Sequence, residues 1–151
     1  MIKFGDPAFT HRTVALDVSL ETVADIENFD ALSAEHWADF NDRLPQFKQN
    51  VLDLSHAVVA RKKGVAVGYI LFLVFDNPFY DEKMCSVGMY YLSKAHRGEG
   101  IGQAMFALLE KAAKDMGCAK IEASFNLKQP LDAFYKKLGY APTHTCVAKE
   151  L

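Results

Sequence analysis

The chain of 151 residues is 50% hydrophobic and 24% charged, and its 17 basic and 19 acidic residues give a formal net charge of −2. A chain of this length buries roughly 68–70% of the surface that its unfolded form exposes, which excludes collagen-like, coiled-coil, disordered and disulfide-scaffold architectures. The near-balance of charge argues against binding nucleic acid through a clustered positive excess. We therefore expect one domain over residues 1–151 and no nucleic-acid partner.

Neither a membrane segment nor a reactive cysteine is indicated. The longest apolar stretch, Val65–Phe75, is much shorter than the ~20 residues of a membrane-spanning helix and is typical of a buried strand. Residues 1–12 lack the basic-then-apolar order of a signal peptide or anchor. Cys85, Cys118 and Cys146 are odd in number and have no metal-like or C-x-x-C spacing, so they are assigned no chemistry. The sequence thus predicts a cytoplasmic protein without membrane contact or metal.

The first half of the chain predicts one strand followed by two helices. Thr13–Val18 has a strand pattern, and Ser19 is placed to cap a helix that runs to about Phe29. A second helix covers Ser33–Leu44 and is closed by Pro45, with further helical turns before residue 55. The first helix depends on apolar residues at helical spacing, namely Leu20, Val23, Ile26 and Phe29.

The second half predicts three antiparallel strands and then alternating helices and strands. His56–Arg61 and Val65–Phe75 form a hairpin closed by Lys62-Lys63-Gly64, and Met84–Leu92 is a third strand in which Gly88 marks a bulge or a close approach. The remaining elements are a loop at Asp76–Lys83, a turn at Ser93–Glu99, a helix at Gly100–Met116, a strand at Ala119–Phe125, a helix at Leu131–Leu138 and a last strand at Thr143–Leu151.

A glycine-rich turn joins the third central strand to the clearest helix. The unit from Met84 to Phe125 should be a right-handed parallel crossover in an otherwise antiparallel sheet, which puts the turn His96–Gln103 at the carboxyl end of a central strand, where such sheets bind ligands. The first N–H groups of a helix have no internal partner and carry partial positive charge, so the turn suits a pyrophosphate. Its spacing matches neither the dinucleotide fingerprint nor the P-loop.

Two motifs carry a resemblance to a known family. Arg97, Gly100 and Gly102 match its coenzyme A signature Arg-x-x-Gly-x-Gly, and Phe134–Tyr140 is similar to its later segment, so the chain resembles the Gcn5-related N-acetyltransferase (GNAT) superfamily from about Met84 to Leu151. The resemblance implies an α/β (α+β) fold: a mixed, mostly antiparallel sheet with a parallel, splayed central strand pair and helices on both faces. A looser resemblance to compact phage-encoded proteins of this type rests on Glu35-His36-Trp37, Leu138-Gly139-Tyr140 and Lys149-Glu150-Leu151.

The resemblance implies direct transfer of an acetyl group from acetyl-CoA (coenzyme A) to an amine. Tyr135 lies where the family has its general acid and would protonate the departing thiolate. The backbones of Tyr90 and Leu92 would run beside the pantetheine, and an N–H near Leu92 would stabilise the developing oxyanion. Backbone amides would hold the pyrophosphate at Arg97, Gly98, Glu99, Gly100, Ile101, Gly102 and Gln103.

The chain departs from the family pattern at two positions. Lys128 stands where the family often has an asparagine that contacts the cofactor, the nearest asparagine being Asn126, and Lys94 replaces a frequent proline. Lys94, Arg97 and Lys128 are alternatives for contacts with coenzyme phosphates. The general base stays open among the four candidates Glu35, His36, Glu122 and His144.

The sequence leaves the acceptor and the assembly open. The acceptor is a small-molecule amine or a protein amine, and the resemblance admits a homodimer because family members often pair through their last strands. A catalytically inactive acyl-CoA-binding or protein-interaction module with the same fold is the alternative to an enzyme.

Overall fold

A computed structural model describes residues 10–12, 16–39, 56–128 and 131–151. Within these ranges six strands form one sheet in the spatial order β1-β2-β3-β4-β5-β6, and every neighbouring pair is antiparallel except the parallel pair β5 and β6. The strands are β1 (Thr10–Arg12), β2 (Leu16–Thr22), β3 (His56–Lys62), β4 (Val65–Asp76), β5 (Lys83–Leu92) and β6 (Lys120–Ala123). The α-helices are α1 (Phe29–Asp39), α2 (Ile101–Asp115) and α3 (Asp132–Lys137), and Val23–Asp25 and Lys94–His96 are 3-10 turns.

The hairpin of β3 and β4 confirms the predicted antiparallel pair. Lys62 pairs with Val65, so the connection is a two-residue turn at Lys63 and Gly64, with φ values of 51° and 80°. Positive φ at both turn residues matches the right-handed twist of the flanking strands. The second strand of this hairpin, β4, lies between β3 and β5 in the sheet.

Strand β5 contains the predicted bulge at Gly88. Leu71 pairs with Met89 while Phe72 pairs with Val87, which leaves Gly88 as the extra residue of β5. The parallel pairing with β6 stops at the same place, because its register runs only from Met84 to Val87. The two parallel strands therefore separate beyond the bulge, as the expected splayed pair requires.

The sheet separates two buried layers. The α2 layer packs the apolar face of α2, including Ile101, Met105 and Leu109, against one side of the sheet, where Val58 and Ile70 are fully buried. The α1 layer lies on the other side and contains Val23, Ile26, Phe29, Leu32, Ala57, Val59, Ala66, Tyr69, Leu71 and Tyr91. Full burial of a side chain of this size stabilises the fold by about 1.5–3 kcal/mol. Helices thus cover both faces of a mostly antiparallel mixed sheet, which confirms the predicted fold class.

Two predicted elements are wrong. Residues 19–29 are not one helix: β2 continues to Thr22, a 3-10 turn follows, and α1 begins at Phe29. Pairing with β3 makes this segment a strand, because Val18 and Leu20 lie on the same buried face and pair with Ala60 and Val58. The last strand expected at Thr143–Leu151 does not form, and residues 141–151 are exposed and outside regular structure.

Other predicted elements agree more closely. The helix expected at Gly100–Met116 is α2, and those expected at Ala119–Phe125 and Leu131–Leu138 are β6 and α3, each shorter at its ends. The predicted helix Ser33–Leu44 overlaps α1, and its part after Asp39 lies outside the described residues. No helix in the described ranges is both long enough and apolar enough to span a bilayer.

Candidate active site

The carboxyl-terminal half of β5 has one open edge. β4 pairs with β5 as far as Leu92, but β6 pairs with it no further than Val87, so no other described strand lies along this edge after the bulge. The Ser93 N–H donates to the Val67 carbonyl at 2.8 Å. Because antiparallel strands alternate the direction of their polar groups, the N–H groups of Leu92 and Tyr90 point away from β4. Two of the predicted site residues thus present backbone donors at the open edge.

The turn after β5 ends in a set of free backbone donors. The first hydrogen bond inside α2 runs from the Ala104 N–H to the Gly100 carbonyl at 3.2 Å. The N–H groups of Ile101, Gly102 and Gln103 consequently have no acceptor within the described part of the chain. The N–H of Arg97, by contrast, already donates to the Lys94 carbonyl at 3.3 Å.

Two glycines of this turn have different structural roles. Gly100 immediately precedes α2 and lies in the left-handed region, with φ 79° and ψ 5°, where other residues are strained. Gly102 is required by space instead: a Cβ there would lie 2.5 Å from the Tyr90 hydroxyl and 3.1 Å from Cζ of Phe134. The backbone of α2 therefore lies directly against the side chains of β5 and α3.

The side chain of Arg97 points to α1 and not into the turn. Its Nε donates to the Leu92 carbonyl at 2.8 Å and its guanidinium donates to Oδ2 of Asp39 at 2.7 Å, while Cζ lies 5.5 Å from the centre of the Tyr91 ring. Lys94 binds the other oxygen of Asp39 at 2.5 Å. The Lys94 hydrogen bond, followed by that of Arg97, lowers the pKa of Asp39. These two basic residues, predicted as alternatives for phosphate contacts, share one carboxylate of α1.

Glu99 connects the same turn to β3 through an ion pair with Lys62. That contact lowers the pKa of the Glu99 carboxyl. Glu99 therefore contributes a side-chain contact in addition to the backbone group predicted for it.

Tyr135 on α3 has a buried hydroxyl with no hydrogen-bond partner among the described residues. The residue is 6% exposed, and its ring lies 5.6 Å from Phe106, 5.4 Å from Tyr140 and 6.0 Å from Phe125. Burial raises the pKa of this phenol above its ordinary value, so it stays protonated at neutral pH. A buried hydroxyl without a partner is costly unless a ligand supplies one.

The four base candidates fall in three places. Glu35 and His36 lie on α1 beside the end of β5, where Glu35 accepts a hydrogen bond from Ser93. Glu122 on β6 is in register with Ser86, which precedes the bulge. His144 lies in the exposed segment after α3. The structure therefore brings Glu35 and His36 to the α1 face at the end of β5, where both contact Tyr91.

A groove beside the start of α2 was not predicted from the sequence. It is lined by Gln103 from α2 and by Ala133, Phe134, Lys136 and Lys137 from α3. The adjacent lysines of α3 were the available signal, because they add positive charge next to the free N–H groups of α2. The side chain of Asn126 is instead engaged locally and accepts the Lys128 N–H at 2.9 Å.

The donors and the buried phenol fit the group that the family uses. Backbone donors at the edge of β5 would pair with an extended thioester, and those at the start of α2 would hold its phosphates. The chain matches the model of the Acetyltransferase (GNAT) family over residues 20–140 and belongs to that family.

Known proteins of the same kind resemble this chain at modest identity. The protein named uncharacterized N-acetyltransferase YdgE of Bacillus subtilis (strain 168) is 23% identical over 94 residues, which cover 62% of this chain and 59% of that relative. Ribosomal-protein-alanine N-acetyltransferase from Brucella melitensis biovar Abortus 2308 superposes with a TM-score of 0.76 at 24% identity, over 91% of this chain and 99% of that one. Aminoglycoside acetyltransferase HMB0005 from an uncultured soil metagenomic sample superposes with a TM-score of 0.75 at 21% identity, over 91% of this chain and 99% of that one. These two structures share the fold.

Proposed function

We propose that this chain, as a single domain, is an N-acetyltransferase that transfers acetyl from acetyl-CoA to an amine by direct attack. The proposal rests on one observation, two sets of free backbone N–H donors at the end of β5 and at the start of α2. The open edge of β5 offers the N–H groups of Tyr90 and Leu92, and the start of α2 offers those of Ile101, Gly102 and Gln103. These are donors for an extended chain and for a diphosphate, respectively.

Each part of the site has a chemical role in this proposal. When bound, acetyl-CoA supplies the acetyl group as a thioester. The free amides of α2 hold the pyrophosphate, aided by the loop residues Gly98–Gly100, and Lys136 and Lys137 add positive charge. An N–H at the open edge, near Leu92, donates to the carbonyl oxygen, a type of contact worth about 2.7–4 kcal/mol where it has been removed. Tyr135 donates its phenolic proton to the departing thiolate.

The acceptor is an amine of a small molecule or of a protein. The structurally similar proteins are named for different acceptors, a ribosomal-protein alanine in one case and aminoglycosides in another. Action in the cytoplasm and the homodimer stay predictions.

Thermal unfolding with and without acetyl-CoA tests cofactor binding. At 100 times its dissociation constant a ligand adds about 2.7 kcal/mol, which raises the Tm of a domain of this size by roughly 5–10 °C. Replacing Gly102 with valine would put its Cβ 2.5 Å from the Tyr90 hydroxyl, which displaces the free N–H groups at the start of α2 and should reduce the shift. An unchanged Tm of the wild type at millimolar acetyl-CoA would contradict the proposal.

Tyr135→Phe tests the catalytic step. It removes a hydroxyl without a described partner, so the fold and acetyl-CoA binding should persist while the rate of CoA release falls by about 100-fold or more. Tyr80→Phe is the matched control, since Tyr80 is 66% exposed on the loop between β4 and β5. Equal rates for the wild type and Tyr135→Phe would remove Tyr135 from the mechanism. Cofactor binding without transfer to any amine would favour the inactive module.

A further inference from the structure

Glu35 lies on α1 next to the part of β5 that carries the open-edge donors. Its Oε1 accepts hydrogen bonds from the Ser93 hydroxyl at 2.5 Å and from the Tyr91 hydroxyl at 3.1 Å. Ser93 and Tyr91 flank Leu92 in the chain, and side chains alternate along a strand, so both reach the α1 face while the Leu92 N–H stays in the plane of the sheet. Two hydroxyls thus fix the Glu35 carboxylate on the α1 face at the carboxyl end of β5.

His36, the neighbouring candidate, is unsuited to take a proton from a substrate. It is 5% exposed, its Nδ1 is hydrogen-bonded to the Tyr69 hydroxyl at 2.5 Å, and its ring stacks on Tyr91 at 4.6 Å and on Trp37 at 4.8 Å. Burial lowers the pKa of His36 to about 4, which makes it a weak base. The packing of His36 against Tyr91 instead helps to hold the tyrosine that contacts Glu35.

The charges around Glu35 leave it available to a cation. Asp39, one helical turn further along α1, is bound by both Lys94 and Arg97. Glu35 is exposed and has no ion pair among the described residues. A carboxylate with no basic partner attracts an ammonium group, and the hydrogen bonds from Tyr91 and Ser93 hold this carboxylate in place.

Resting on the proposed acetyl transfer, we propose that Glu35 is the general base of the reaction and that Tyr91 and Ser93 position it. The acceptor ammonium gives one proton to the Glu35 carboxylate, which passes it to solvent. A nitrogen–carbon bond then forms at the acetyl carbon as the carbon–sulfur bond breaks. The nitrogen loses its second proton to solvent, and the thiolate takes one from Tyr135, which recovers it from solvent, so one proton is released per turnover.

The test compares Glu35→Gln with Glu27→Gln, the same substitution at a carboxylate that is 80% exposed. The probe amines are an alanine-terminated peptide and an aminoglycoside, with CoA release followed from about pH 6 to about pH 10. We expect Glu35→Gln to lower kcat/KM by at least about 100-fold near neutral pH and by less at high pH, where the free amine predominates. Glu27→Gln should match the wild type.

Calorimetry supplies readouts that do not need turnover. Acetyl-CoA should bind Glu35→Gln and the wild type equally, whereas binding of a probe amine to the CoA complex should be at least about 10-fold weaker in Glu35→Gln. Ser93→Ala should give a smaller loss of the same kind.

Each contrary result has a distinct meaning. If the wild type does not bind acetyl-CoA, the proposed function fails. If acetyl-CoA binds but neither amine binds or reacts, the assignment of this surface to the acceptor is overturned. Equal rates for Glu35→Gln and the wild type, or a comparable loss in Glu122→Gln, would overturn the role of Glu35.

Discussion

Replacing Gly102 with alanine tests how closely α2 lies against β5. The added Cβ would be 2.5 Å from the Tyr90 hydroxyl and 3.1 Å from Cζ of Phe134, both nearer than carbon atoms in contact normally come. Overpacking of this kind costs about 1–3 kcal/mol, and the better helix propensity of alanine offsets roughly 1 kcal/mol. We expect a net loss of up to about 2 kcal/mol, or up to about 8 °C in Tm.

A double-mutant cycle with Tyr90→Phe assigns the cause. Removing the hydroxyl deletes the nearest atom, so Gly102→Ala should cost at most about half as much in the Tyr90→Phe background. Gly100→Ala is the control, because its cost of about 1–2 kcal/mol comes from a φ of 79° with open space around the Cβ and should be equal in both backgrounds. Urea unfolding provides the free energies. An unchanged cost of Gly102→Ala in the Tyr90→Phe protein would refute the steric explanation.

Two predictions concern titratable groups of α1. Because the folded pKa of His36 is about 4 against about 6.5 unfolded, the unfolded chain binds more protons between these values, and stability should fall by up to about 3 kcal/mol as pH drops through this window. His36→Gln should flatten that slope in urea melts at several pH values; an unchanged slope would contradict it. The lowered pKa of Asp39 contributes stability above about pH 3.8 that is lost on acidification. Asp39→Asn should therefore cost about 1–2 kcal/mol at pH 7, measured in the same melts, and equal stability would contradict the contact with Lys94 and Arg97.

The misassigned helix at residues 19–29 shows what periodicity can and cannot predict. All four residues at helical spacing are indeed buried, but Leu20 belongs to the α2 layer and Val23, Ile26 and Phe29 belong to the α1 layer. A strand followed by a 3-10 turn reproduces the spacing of three that a helix would give. Only the pairing of β2 with β3, about 40 residues away in the chain, distinguishes the two, and a local pattern does not contain it.

The candidate site was likewise predictable only in part. The turn at the start of α2 and the position of Tyr135 follow from short motifs, so the sequence was sufficient to locate them. The side-chain contacts were not predictable. The hydrogen bonds of Arg97 with Asp39 and of Glu35 with Ser93 each join residues that are 58 positions apart in the sequence. The predicted strand Thr143–Leu151 has suitable residue types but no described strand pairs with it, and strand propensity without a partner does not form a ladder.

The division of the interior by the sheet has a consequence for which side of the molecule opens more readily. Helix α1 packs on β4 and is fastened at its end by the contacts of Asp39, whereas α2 packs across several strands on the opposite side. Local opening of a layer costs less free energy than global unfolding when few apolar contacts are lost. With ten described residues buried in the α1 layer against eighteen in the α2 layer, the α1 side is expected to open locally at a lower free-energy cost, while the opposite side keeps its packing.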